Sequence, residues 1–71
     1  MLTTSEKIRL LLKRKDMSIS TLAEKTGTSR QNLNNKLRRN NFSELDLKDI
    51  ANALEQEIII KFKDVGTGGE L

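Results

Sequence analysis

Four times in 71 residues a serine or threonine stands just ahead of a short run in which aliphatic side chains recur three and four positions apart. A hydroxyl placed there accepts from the orphan N–H groups of a first helical turn, and the interval gathers the apolar residues on one side of a helix. The pattern predicts short amphipathic helices joined by tight turns. Thr3-Thr4-Ser5-Glu6 has capping-box spacing, so a first helix starts near Thr4 and ends near Lys15, with Ile8, Leu11 and Leu12 as its stripe. Ser18 caps a second, from Ile19 to about Lys25, with Ile19, Leu22 and Ala23 inward. Gly27 then supplies the positive φ with which helices commonly end. Ser29 caps a third, Arg30 to about Arg38, which Asn40-Asn41 stops. Phe42 is expected to plug back into the core, and Ser43-Glu44-Leu45-Asp46 repeats the capping pattern ahead of Leu47, Ile50, Ala51 and Leu54.

A chain of 71 residues has room for one small core, and with 35% hydrophobic residues and only two aromatics that core must be aliphatic. Cysteine and histidine are both absent, which removes disulfides, thiolate nucleophiles and the usual zinc ligands. The remaining acid and base candidates are scattered singly on a chain too small to bury a cleft that would retune them. No enzyme activity, metal, cofactor or small-molecule effector is therefore expected. No apolar run approaches the roughly 20 residues of a membrane span and no signal peptide is visible, so a cytoplasmic protein with no membrane contact is expected.

After Leu54 the period changes. Glu57-Ile58-Ile59-Ile60-Lys61-Phe62-Lys63 is rich in β-branched residues, with Ile58, Ile60 and Phe62 alternating on one face, and reads as a C-terminal β-strand. Gly66-Thr67-Gly68-Gly69 marks a flexible tail. The expected organisation is a helical domain over 3–55, a strand over 56–63 and a tail over 64–71.

Charge divides the chain. Residues 1–41 hold ten basic and three acidic side chains, whereas residues 42–71 hold three basic and seven acidic. No acid occurs between Thr26 and Ser43, where Arg30, Lys36, Arg38 and Arg39 lie among Asn and Gln. A solvated basic face is the plain alternative, but basic residues interleaved with amides suit a polyanion whose bases are also read. The third helix has only Leu33 and Leu37 as apolar residues, and asparagine forms helices poorly, so stability did not select its composition.

The order short helix, glycine turn, polar helix, written ISTLAEKTGTSRQNLNNKL over Ile19–Leu37, resembles the helix-turn-helix of the Cro and lambda-repressor-like family, also called the xenobiotic-response-element type. Leu22-Ala23, Gly27 and Leu33 carry the resemblance: Ala23 lets two crossed helices touch, Gly27 makes the turn and Leu33 pins the second helix. The flanking helices extend it over about residues 3–54 and imply that family's five-helix fold, mostly α, with the C-terminal strand appended. Family members often carry Gln at the start of the first motif helix, to touch phosphate; this chain has Ile19, so that contact is not carried over. Lys36 stands where an apolar residue is common, with Leu37 next, an arrangement closer to the Cro branch.

By that resemblance the base-reading positions fall on Arg30, Gln31, Asn34 and Asn35, with Asn32 beside them, and Arg suits guanine while Asn and Gln suit adenine. For the Asn cluster the plain alternative is a helix end with capping residues. Thr28, Ser29, Arg38, Arg39 and Asn40 are candidates for phosphate, although capping suffices to explain Thr28 and Ser29. The implied function is a sequence-specific double-stranded DNA-binding regulator, a small Cro-like repressor. The alternative is an antitoxin-like module that binds a partner protein. A lone strand leaves its hydrogen-bonding groups open, so a homodimer pairing Ile58, Ile60 and Phe62 across a two-fold axis is expected, with a palindromic operator.

Overall fold

The computed structural model describes all 71 residues and contains four helices: α1 Thr4–Arg14, α2 Ile19–Thr26, α3 Arg30–Arg39 and α4 Glu44–Ala53. Each begins as its hydroxyl predicts. Thr3, Ser18, Ser29 and Ser43 have extended backbone, and each side-chain oxygen accepts from the N–H three residues on. Glu6 and Asp46 return the bond to the cap's own N–H, completing capping boxes at α1 and α4.

The helices also share one way of ending. In each, the residue five positions on from a last-turn carbonyl donates back to it: Met17 to Leu12, Thr28 to Ala23, Asn41 to Lys36 and Gln56 to Ala51, at 2.8–3.1 Å. Such closure requires a left-handed residue just before the donor. Those residues are Asp16 (φ 51°), Gly27 (φ 72°), Asn40 (φ 50°) and Glu55 (φ 56°). Only Gly27 adopts that geometry without steric cost.

Eight residues form the core: Ile8 and Leu12 of α1, Leu22 and Ala23 of α2, Leu33 and Leu37 of α3, Ile50 of α4, and Leu54 just after it. Leu22, Leu33 and Leu54 are fully buried, and α2 packs on both α3 and α4. Leu11, Met17, Ile19, Phe42 and Leu47 close the edges, so Phe42 does return to the core and the aromatic-poor interior is aliphatic throughout. None of the helices is long and apolar enough to cross a membrane.

Two expectations fail beyond Leu54. There are four helices, not five: Glu55 turns the chain out of α4, and the isoleucine run that follows favours extended backbone over another helix. No strand forms either. Residues 57–61 belong to no helix or strand and nothing in the chain pairs with them, and a ladder needs a neighbour. The only bridge is an isolated antiparallel one, Lys63 with Glu70. It belongs to a turn by which the segment expected as a tail folds back: Phe62 and Leu71 exchange both backbone bonds, Asp64 donates to Gly69 at 2.6 Å, and Lys61 pairs with Glu70 at 3.2 Å.

A Cβ built on Gly27 would meet nothing within 4 Å, so the cost of replacing it is backbone geometry alone. Gly27→Ala is expected to destabilise the domain by about 1–2 kcal/mol, and Gly27→Asn by less, because Asn enters the left-handed region more readily. Thermal melts check this: the Ala variant should melt lower by at least about 4 °C, with Asn between it and the parent.

Candidate nucleic-acid interface

α3 attaches to the domain through Leu33 and Leu37, one helical turn apart, which leaves most of its circumference facing solvent. Roughly opposite those leucines, Gln31, Asn35 and Arg38 fall at i, i+4 and i+7 and share a stripe. Asn32, Asn34 and Arg39 flank it, and Arg30 and Gln31 occupy the exposed first turn.

Hydrogen bonding sorts these side chains into committed and free. Arg30, Gln31, Asn34 and Arg39 make no side-chain bond within the protein. Asn32 donates to Thr28 Oγ1 at 2.8 Å, while its backbone N–H donates to Ser29 Oγ at 3.0 Å, so Thr28, Ser29 and Asn32 together build the N-terminal cap of α3. The capping alternative thus describes Asn32 but not Gln31 or Asn34. Arg38 Nη2 donates to Asn35 Oδ1 at 3.1 Å.

Asn40, expected at a phosphate, has a different principal task. In left-handed conformation it ends α3, and its Oδ1 accepts from the Ser5 N–H at 2.9 Å. Ser5 Oγ lies 2.6 Å from the Leu37 carbonyl and 3.1 Å from Asn40 Oδ1, and donates toward both. The N-terminus of α1 therefore caps the C-terminus of α3, opposing dipole ends meeting at the join. Asn40 Nδ2 makes no bond within the protein. This clasp was missed in the sequence, although Ser5 lies on the stripe of Ile8 and Leu12, which signals burial, and Ser5 is the one buried polar residue.

A second tie holds the flank of the helix. Lys36 Nζ lies 2.9 Å from Asp46 Oδ1, while Asp46 Oδ2 accepts from the Ser43 N–H, so one carboxylate caps α4 and tethers α3. The bond from Lys36 and those from Ser43 hold the Asp46 carboxyl below its usual value of 3.8. Lys36 is thereby neutralised, which leaves Arg30, Arg38 and Arg39 as the cationic groups of this surface.

A polar helix presented on a glycine-turned helix pair, its free groups facing away from the core, is the geometry of a groove-reading helix-turn-helix. Compared with known families, residues 7–58 match the Cro/C1-type HTH DNA-binding domain. The chain belongs to that family. The match covers all of α2, α3 and α4 and most of α1, and it agrees with the resemblance carried by Leu22-Ala23, Gly27 and Leu33. No curated protein and no solved structure matches the chain. As a Cro/C1-type helix-turn-helix domain it is a DNA-binding module of the transcription-regulator class.

Because the folded Asp46 pKa is lowered, its contribution to stability is present above the unfolded carboxylate value and is lost as pH falls through the folded one. Asp46→Asn should therefore lower stability near neutral pH by about 0.5–1 kcal/mol, and the difference from the parent chain should shrink away as acid protonates the Asp46 carboxyl, at a pH below the usual carboxylate range. Urea melts from neutral to acid pH check both the size and the convergence.

Proposed function

We propose that this protein is a sequence-specific regulator of transcription, a small Cro-like repressor that lays α3 in the DNA major groove and acts in the cytoplasm. The observation that carries the reading is the row of uncommitted amide and guanidinium groups on a helix whose leucines are all turned inward. A major groove accepts one α-helix, and each base pair shows a distinct donor and acceptor pattern there. Arg30, Gln31 and Asn34 are proposed as base readers with Asn35. Arg39 is the principal phosphate anchor, with the free Nδ2 of Asn40 near the backbone. Thr28, Ser29 and Asn32 set the pitch of the helix through its cap and meet phosphate only in passing.

The proposed operator is palindromic and the proposed protein a homodimer. Residues 57–61 make no backbone hydrogen bond, and Ile59, Ile60 and Phe62 are exposed to 67%, 49% and 76%. The same segment of a second copy would satisfy those groups antiparallel and cover Ile60 and Phe62, with Ile58 at the margin where it already lies against α1 and α4. Two α3 helices would then stand about 34 Å apart, one turn of DNA.

Binding to duplexes selected from random sequence tests the reading. Gln31→Ala and Arg30→Ala should each change preference at particular base pairs and cost ~1–3 kcal/mol, whereas Arg39→Ala should weaken all duplexes alike and lower the salt slope by ~1. Equal loss on selected and random duplexes from all three would contradict it. Sedimentation of the intact chain against one ending at Gln56 tests the dimer: the intact chain should sediment as a dimer and the shortened one as a monomer. A dimer that survives the truncation would place the interface elsewhere and leave residues 57–63 to a different partner.

A further inference from the structure

The bond between Arg38 and Asn35 constrains what Asn35 can read. A guanidinium has donors and no acceptor, so the amide atom facing Arg38 Nη2 must be the oxygen, and the orientation of the Asn35 amide is settled by chemistry. Asn32 offers a contrast, because its partner, the Thr28 hydroxyl, can donate or accept. With its oxygen engaged by a cation, Asn35 shows the outside its Nδ2 hydrogens, and Arg38 adds its own. The oxygen keeps one lone pair, but it lies beside the guanidinium charge, so the outward face of the pair is dominated by donors.

The pairing of asparagine with adenine needs both halves of the amide: the oxygen accepts from N6 while the nitrogen donates to N7. Guanine offers N7 and O6, both acceptors. An adenine amino group brought to Asn35 could reach only the second lone pair of an oxygen turned toward a positive charge, whereas the two acceptors of the guanine edge complement the outward donors. Arg38 is well placed for this role, because helical side chains lean toward the N-terminus and its own leans over Asn35, toward the half of α3 that enters deepest. Gln31, one turn earlier on the same stripe, has no partner and keeps both halves of its amide.

We propose that Arg38 is a positioning residue that holds the Asn35 amide with its oxygen turned to the guanidinium and its nitrogen outward, so that this pair selects guanine where an unrestrained asparagine would select adenine. The inference rests on the groove-reading function proposed above. It also separates Arg38 from Arg39, which has no side-chain partner and is free for phosphate.

The test is binding of the full chain to its selected duplex with each of the four bases placed in turn at the position where Asn35→Ala flattens the preference. The parent chain should favour guanine over adenine there by about tenfold. Arg38→Met keeps the stem and removes the donors; it should abolish or reverse that ratio while leaving the preference at the Gln31 position as it was. Arg38→Lys, which restores a donor, should recover part of it. Adenine preferred by the parent chain, or a guanine preference that persists in Arg38→Met, would overturn the proposal. A flat profile at the Gln31 position as well would instead overturn the sequence-reading function, and this inference with it. Arg38 is exposed and outside the core, and matching thermal melts of the variants would confirm that the ratio reports recognition and not folding.

Discussion

Everything this domain presents to a partner depends on how two leucines hold one helix. Leu33 and Leu37 are the whole apolar contribution of α3 and lie one turn apart, so they fix its distance from the core but define only a narrow line of contact. A helix seated on such a line can roll about it, and rolling would swing Gln31 and Asn35 away from any groove they face. Two polar ties oppose that motion, one at the C-terminal end of the helix and one along its flank. Ser5 clasps the end of α3 through the Leu37 carbonyl and Asn40, and Asp46 holds Lys36 from the first turn of α4. The Ser5 contact is buried, so losing its hydroxyl would leave the Leu37 carbonyl with only the longer bond from the Asn40 N–H, at a cost of about 0.5–1.5 kcal/mol. The Lys36–Asp46 pair is partly exposed and weaker in energy, but it sets an angle.

The division of labour along α3 follows from the same constraint. Residues that cap or tether it are committed inside the protein: Ser29 and Asn32 at one end, Lys36 along its side, Asn40 at the other end. The side chains left over are those for which a core has no use and, in the proposed function, a base edge does. Asparagines at 32, 34 and 35 weaken the helix as a helix, and the caps at both ends offset that weakness. The surface is thus stabilised at its ends and along one edge, and its middle is free to carry specificity.

Much of this was legible in the sequence, and the reasons for what was not are physical. The four N-cap hydroxyls, Gly27 and the aliphatic stripes act through neighbours three to five positions away, so local spacing exposes them. The ties Ser5–Asn40 and Lys36–Asp46 join residues 35 and 10 positions apart, and no periodicity encodes which polar side chain meets which. Lys36 read as a departure from the family pattern and proved to be one half of a bridge. The left-handed Asp16 and Glu55 were hidden because neither is glycine or asparagine, the residues that usually end a helix; the helix-closing bonds impose the geometry. The isoleucine run illustrates the opposite error. Its β propensity is plain in the residues, but a strand is a property of a pair, and this chain holds no second member.

The claim at the centre of this account is that the outward face of α3 meets DNA. Amide chemical-shift mapping of the folded chain titrated with its selected duplex tests it most directly. The largest changes should fall between Thr28 and Asn41, with the side-chain amides of Gln31, Asn34 and Asn35 among them, while the core amides of α4 move little. Changes centred instead on residues 57–71, with α3 unmoved, would contradict it.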